Sequence, residues 1–188
     1  MRNKDITFLL QQANLGDRDV LNDVYISLYG EIKKIAQFQI NKLQTGETIT
    51  PTVLAHECYI KMLKQNSIKM KDSKHFLNCL SISMRQLLVD IYRAKISPKR
   101  KSNAITQNMT DVIGDADIDF KILELDHLLN KIEKINSQCA EVLNFKLILT
   151  MTFPEIAQVM NLSERQIKRI WSQGKSLLMV LAEDKSSS

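Results

Sequence analysis

The sequence predicts an all-α protein. Apolar residues recur every three or four positions through most of the 188-residue chain, and this is the spacing of amphipathic helices. Glycine and proline, which punctuate turns, number only 5 and 3, which is too few for a β protein with many turns. A hydrophobic content of 44% is sufficient for packed cores and argues against extensive disorder.

The charge distribution divides the chain into two helical domains joined by a flexible acidic linker. Residues 1–101 hold 17 Lys and Arg against 9 Asp and Glu, whereas residues 102–119 hold 4 acids and no base. We expect residues 102–119 to form the linker and residues 120–184 the second domain. A basic first domain indicates a polyanionic partner, although a solvated basic face would have the same composition.

Four helices are predicted in the first domain. The apolar pattern covers residues 5–13 and then 17–43. A third helix begins at Thr50, a good N-cap, and Pro51, which suits the first helical position. A long fourth helix covers residues 74–95. In the second domain, helices are expected from about residue 120 and over residues 139–149.

The second domain ends in a predicted helix-turn-helix, from about residue 152 to residue 181. Thr152 is followed three residues later by Glu155, the pattern of a capping box, and Ser163 is followed in the same way by Gln166. Residues 161–162 supply the turn. Two capped helices, the first of them short, are therefore joined by a tight connection.

The exposed side of the second helix of this motif carries candidate DNA contacts. The candidates are Ser163, Glu164, Arg165, Gln166, Lys168 and Arg169. A helix-turn-helix presents the start of this helix to base edges, where Arg recognises guanine and Gln recognises adenine. Lys168 and Arg169 are alternatively phosphate contacts. An ordinary helical hairpin with a basic edge would show the same pattern.

The end of the long helix in the first domain is a second candidate nucleic-acid contact. The candidate residues are Arg85, Gln86, Arg93, Lys95, Lys99, Arg100 and Lys101. Five cations within residues 93–101 would displace counterions from a nucleic acid. Tyr59, Phe76 and Tyr92 are candidates for stacking on an unpaired base, although their helical spacing favours a place in the core.

Catalytic, metal and membrane functions find little support. Cys58, Cys79 and Cys139 lie in apolar segments, as reduced and buried thiols of a cytosolic protein do. A zinc-protease motif beginning at His56 fails because Ile60 stands where the second histidine belongs. No phosphate loop, signal peptide or membrane-spanning segment is visible. We therefore expect a cytoplasmic protein that is not an enzyme and that needs neither metal nor cofactor.

Three collinear blocks resemble the extracytoplasmic-function (ECF) sigma factors of bacterial RNA polymerase. The blocks are TPTVLAHECYIKML at residues 50–63, HFL with MRQLLVDIYR at residues 75–77 and 84–93, and FPEIA with SERQIKRIW at residues 153–157 and 163–171. Their order matches the family, and the resemblance covers residues 5–181. Three blocks in order are far more specific than any one alone.

The resemblance implies a role for each part of the chain. Residues 1–101 would be the domain like sigma region 2, docking on the clamp helices of the largest polymerase subunit through His56, Glu57 and Lys61. The end of its long helix would engage and open the −10 element of the promoter. Residues 120–184 would be the domain like sigma region 4 and would read the −35 element. The linker would pass toward the RNA-exit region.

The sequence therefore predicts a promoter-specificity subunit whose partners are core RNA polymerase and promoter DNA. An anti-sigma factor is a further partner that the resemblance allows. Two alternatives stay open at this point: a DNA-binding regulator of the same ancestry that no longer binds polymerase, and an antagonist that occupies the polymerase clamp.

Overall fold

The computed structural model describes residues 18–43, 49–64, 72–96 and 122–186, and within these ranges every regular element is an α-helix. The helices are α1 (Arg18–Leu43), α2 (Pro51–Lys64), α3 (Ser73–Ile96), α4 (Ile122–Ile135), α5 (Ser137–Leu147), α6 (Phe153–Met160) and α7 (Glu164–Ser186). The predicted all-α class is confirmed. The predicted helix at 5–13, the linker at 102–119 and the cations Lys99, Arg100 and Lys101 lie outside the described residues.

Side-chain caps define where several of these helices begin. The Thr50 hydroxyl accepts a hydrogen bond from the Val53 amide at 3.2 Å, with Pro51 as the first helical residue, as the sequence predicts. Asn136 caps α5 by accepting from the Cys139 amide. This cap starts α5 at residue 137, two residues before the position that the apolar pattern alone indicates.

The N-terminal helices (α1–α3) pack on one another in the first part of the hydrophobic core. α1 packs on α2, and α2 packs on α3. The completely buried side chains include Ile32 of α1, Leu54 of α2 and Phe76 of α3. The Tyr25 hydroxyl donates to the Ala55 carbonyl, which ties α1 to α2 at a buried position. Phe76 is thus a core residue, in agreement with its helical spacing.

The C-terminal helices (α4–α7) pack around the long α7, and their buried side chains continue the same hydrophobic core. α7 packs on α4, α5 and α6, and it buries Ile167, Ile170, Trp171 and Leu178 on the side predicted from the apolar pattern. Gly174 allows α7 to approach α5 closely: a Cβ atom at this position would lie 3.0–3.3 Å from the side-chain carbons of Leu143.

The two sets of helices pack against each other. α3 contacts α4, α5 and α6, and the end of α1 reaches the end of α5. There the side-chain amide of Gln39 donates to the carbonyls of Leu147 at 3.0 Å and Ile148 at 2.7 Å. A helix leaves its last carbonyls without intrahelical partners, so Gln39 completes the end of α5 from the other half of the chain.

Substitution of Gly174 tests the close packing of α7 on α5. We expect Gly174→Val to destabilise the protein by about 1–3 kcal/mol, because the added side chain would displace Leu143. Gly30→Ala is the matched control: nothing lies within 4 Å of its Cβ position in α1, and alanine favours a helix interior by about 0.5–1 kcal/mol. Urea unfolding followed by circular dichroism measures both changes, and equal effects of the two would contradict the packing argument.

Candidate nucleic-acid interface and docking face

Two capping boxes, one at the start of each helix, and a left-handed residue between the helices define the helix-turn-helix formed by α6 and α7. The Thr152 hydroxyl accepts from the Glu155 amide at 3.4 Å, and the Glu155 carboxylate accepts from the Thr152 amide at 2.7 Å. Ser163 and Gln166 make the equivalent pair of bonds at 3.3 and 2.8 Å. Asn161 ends α6 with a φ of 54°, a conformation that asparagine tolerates well. Both predicted boxes are confirmed.

The first two turns of α7 present a polar face whose opposite side is anchored in the core. All six predicted DNA-contacting residues between Ser163 and Arg169 are exposed, whereas Ile167 is completely buried. A buried residue at this position prevents α7 from rotating, so the exposed side chains keep a fixed direction.

The polar residues of this face are not equally available to a ligand. The Lys168 ammonium pairs with Glu164 at 2.6 Å, and the Gln166 side-chain oxygen is held by Ser163. Arg165 and Arg169 are exposed, and among the described residues no carboxylate pairs with either of them. The two arginines lie one turn apart and form the accessible cationic part of the face.

Lys146 is a structural residue that sequence reasoning did not single out. Its ammonium donates to the Met151 carbonyl at 3.1 Å and lies 4.8 Å from the centre of the Phe153 ring. The Phe153 ring in turn meets Trp171 edge-on at 6.1 Å. Lys146 therefore fastens α5 to the start of α6. Its signal in the sequence, one lysine near the end of an apolar helix, is too common to indicate this role.

The predicted nucleic-acid residues of α3 point in different directions. Gln86 is half-buried and Arg93 is exposed, and the two lie two turns apart on one side of the helix. Arg93 is 3.9 Å from Asp90, a distance typical of a weak surface pair. The side chain of Lys95 lies outside the described residues. Of the predicted set, Arg85 alone is buried in the described structure.

Arg85 is 5% exposed and is held by the C-terminal helices. Its Nη2 donates to Asn130 Oδ1 at 2.9 Å, and its Nε lies 3.3 Å from Asp126 Oδ1. Burial lowers the pKa of Arg85, and the nearby carboxylates of Asp126 and Glu133 act in the opposite direction. The sequence predicts that Arg85 lies outside the apolar stripe of α3, and the structure agrees. The interhelical packing that covers Arg85 was not predicted.

The candidate docking residues occur together on the outer side of α2. His56 and Glu57 are exposed and Lys61 is half-exposed, whereas Leu54 and Cys58 are completely buried on the other side. The His56 ring stacks on the Tyr29 ring of α1, with centroids 5.5 Å apart. This contact restricts the orientation of the imidazole, so the three side chains form a single, oriented surface.

Two exposed apolar residues lie within the same surface and were not predicted. Val53 and Ile60 are 45% and 39% exposed, and helical spacing puts both between His56 and Lys61 around the helix. Together, Val53, His56, Glu57, Ile60 and Lys61 form the docking face. Apolar groups surrounded by charged ones are typical of protein–protein contacts. The sequence did contain a signal for this surface, because helical spacing places Val53 and Ile60 on the same side of α2 as Glu57.

Comparison with protein families shows the family of this chain. The profile described as ECF sigma factor matches residues 3–179, which is nearly the whole chain. The chain belongs to the ECF sigma factor family. Neither the comparison with curated proteins nor the comparison with solved structures gives a significant match.

Membership makes this sigma factor a DNA-binding protein of transcription initiation, with core RNA polymerase and promoter DNA as the partners that the family implies. None of the described helices is long and apolar enough to cross a membrane. Within the described ranges, no three His, Cys, Asp or Glu side chains are grouped as metal ligands.

The thiols of the sigma factor are buried and free, as predicted. Cys58, Cys79 and Cys139 form no disulfide. Burial raises the pKa of Cys58 to about 12, and it also raises the pKa of Cys79 and of Cys139. Since the thiolate is the reactive form, none of the three is suited to act as a nucleophile near neutral pH.

Removal of the first cap tests the start of α6. We expect Thr152→Ala to lower the free energy of unfolding by about 1 kcal/mol, because the Glu155 amide loses its acceptor. Ser172→Ala, at an exposed position within α7, is the control and should leave stability unchanged or slightly raised. Thermal unfolding compares the variants, and equal stability of the two would show that the cap contributes nothing.

Proposed function

We propose that this sigma factor binds core RNA polymerase through the docking face of α2 and directs initiation at promoters with separate −10 and −35 elements. The start of α7 reads the −35 element, and the end of α3, with the cations that follow it, engages and opens the −10 element. In the cytoplasm, polymerase catalyses transcription, and the sigma factor selects the promoter and opens the DNA strands.

The exposed polar face at the start of α7 carries this proposal. Its N-terminal end is ordered by the Ser163–Gln166 box and its back is fixed by Ile167, so the side chains are positioned before DNA binds. Arg165 is the residue best placed to read a base, because it is exposed in the first turn. The Gln166 oxygen must leave Ser163 before the amide can pair with adenine.

The docking face supports polymerase binding because it combines three features that are common in protein–protein contacts. It has exposed apolar groups in Val53 and Ile60, charges of both signs in Glu57 and Lys61, and an oriented ring in His56. We propose residues 1–101 as the domain that carries this face and residues 120–184 as the −35-reading domain, joined by the acidic segment 102–119. An anti-sigma factor is a further proposed partner, supported by family membership alone.

Charge exchange on the docking face tests polymerase binding. The variant Glu57→Lys/Lys61→Glu keeps the net charge but reverses the pattern, and we expect it to weaken binding to core polymerase by at least about tenfold. The matched control, Glu124→Lys/Lys131→Glu on α4, should bind as the unaltered protein does. Co-elution with core enzyme is the measurement. Undiminished binding by the α2 variant would place the docking face elsewhere, and DNA binding without any polymerase binding would favour a regulator.

Substitutions in α7 separate base reading from phosphate binding. We expect Arg165→Ala to relax the preference at one −35 position, at a loss of about 1–3 kcal/mol, whereas Lys168→Ala should weaken binding to all sequences alike. Transcription from a random promoter library with reconstituted holoenzyme, followed by sequencing of the transcribed templates, measures both effects. A uniform loss from both substitutions would overturn the assignment of Arg165 to a base.

A further inference from the structure

The last turns of α1 present a basic side that the proposed function does not use. Residues 32–43 contain three lysines and no acid. Helical spacing puts the exposed and half-exposed residues of this stretch together on one half of the helix surface. We call this set the basic face of α1, and its members are Lys33, Lys34, Gln37, Phe38, Asn41 and Lys42.

Phe38 is the aromatic centre of the basic face. It is 40% exposed, and Lys34 and Lys42 lie one turn, about 6 Å, before and after it along the helix. The Lys42 ammonium lies 4.9 Å from the centre of the Phe38 ring. Lys34 pairs with Glu31 at 2.9 Å, but the two side chains are 75% and 48% exposed, and such surface pairs contribute little. The pair therefore does little to keep Lys34 from another anion.

The buried side of α1 holds the basic face in a fixed direction. Ala36 is completely buried in the core, and Gln39, next to Phe38, is anchored to the carbonyls at the end of α5 by two hydrogen bonds. On the face itself, the side-chain amide of Gln37 donates to Asn41 Oδ1 at 2.7 Å. The helix that carries the ring and the cations is therefore positioned before any ligand binds.

The composition of the basic face indicates the chemistry of its partner. Its charges are all positive and Phe38 is its single apolar residue, whereas the docking face of α2 combines two apolar residues with charges of both signs. Lysine is depleted from protein–protein contacts, which argues against a protein partner. Cations that follow a phosphate backbone, together with a ring on which a base stacks, are typical of proteins that bind single-stranded DNA.

We propose that the basic face of α1 binds single-stranded DNA, with a base stacked on Phe38 and the neighbouring phosphates on Lys34 and Lys42. This site is separate from the end of α3 and from the start of α7. The source of the strand rests on the proposed function, because promoter opening creates the unpaired DNA. The face holds one of the two strands after they separate.

The affinity of the full-length protein for a labelled 20-nucleotide strand of mixed sequence, without polymerase, tests the role of the ring. Phe38→Leu keeps an apolar side chain but removes the stacking surface, and we expect it to bind the strand at least about fivefold more weakly. The duplex of the same sequence offers no free base, so its affinity should change by less than about twofold. Equal losses for strand and duplex, or an unchanged affinity for the strand, would overturn the site. Circular dichroism should show an unchanged helix content, because Phe38 lies at the surface.

A tryptophan substitution reports the stacking directly. Phe38→Trp should bind the strand at least as tightly as the unaltered protein, and the added fluorescence should be quenched when the strand binds. Ile135→Trp is the matched control, since residue 135 is 59% exposed on α4 with Lys131 one turn before it. The native Trp171 is buried and contributes to every protein alike. Equal quenching in the two variants, or none in Phe38→Trp, would rule out a base stacked at position 38.

The salt dependence of binding tests the two lysines. We expect Lys34→Gln/Lys42→Gln to reduce the slope of log affinity against log salt concentration by about 1.4, the value for two phosphate contacts on a single strand. Lys131→Gln/Lys134→Gln removes the same charge from the exposed side of α4 and should leave the slope unchanged. Equal reductions by the two double variants would attribute the effect to net charge and contradict the phosphate contacts.

Further outcomes distinguish the source of the strand and separate this site from the proposed function. An RNA strand of the same sequence that binds more than about tenfold more tightly than DNA would assign the face to RNA and overturn the promoter strand as its ligand. If holoenzyme initiates transcription but Phe38→Leu binds the DNA strand normally, the site is overturned and the proposed function stands. If strand binding depends on Phe38 but the protein never initiates with core polymerase, the proposed function is overturned and the site stands without its promoter.

Discussion

Burial of α3 from two sides is the constraint on which the rest of the structure depends. Its apolar residues, with Phe76 and Leu80 completely buried, pack against α1 and α2, and its polar residues Lys74 and Arg85 contact α5 and α4. The apolar side gains free energy from every side chain that it removes from water. The polar contacts gain little, because Arg85 is incompletely satisfied. The helix thus lies within one core that the buried side chains of both sets of helices share.

The proposed binding surfaces lie on separate helices. The docking face of α2 and the start of α7 each have a buried back formed within their own set of helices, at Leu54 and at Ile167. Each of the two surfaces therefore takes its local shape from the helices that lie directly behind it.

Local sequence patterns were sufficient for much of the fold and for part of the site. The boxes at Thr152 and Ser163 and the cap at Thr50 were predicted, because a cap depends on residues three positions apart. The exposed face of α7 followed from the apolar period of Ile167 and Ile170. The roles of Val53 and Lys146 were missed, since exposure and contacts with distant aromatic rings are not encoded in a local period.

The sequence by itself determined most of the helices, the caps at Thr50, Thr152 and Ser163, and the family, all of which follow from short-range spacing and the order of motifs. Only the tertiary structure decided the state of Arg85. Its position off the apolar stripe predicts an exposed cation, yet Asp126 and Asn130 bury it from a segment about forty residues away. A buried ion pair between distant segments produces no periodic pattern in the sequence, because its free energy depends on the desolvation that only packing creates.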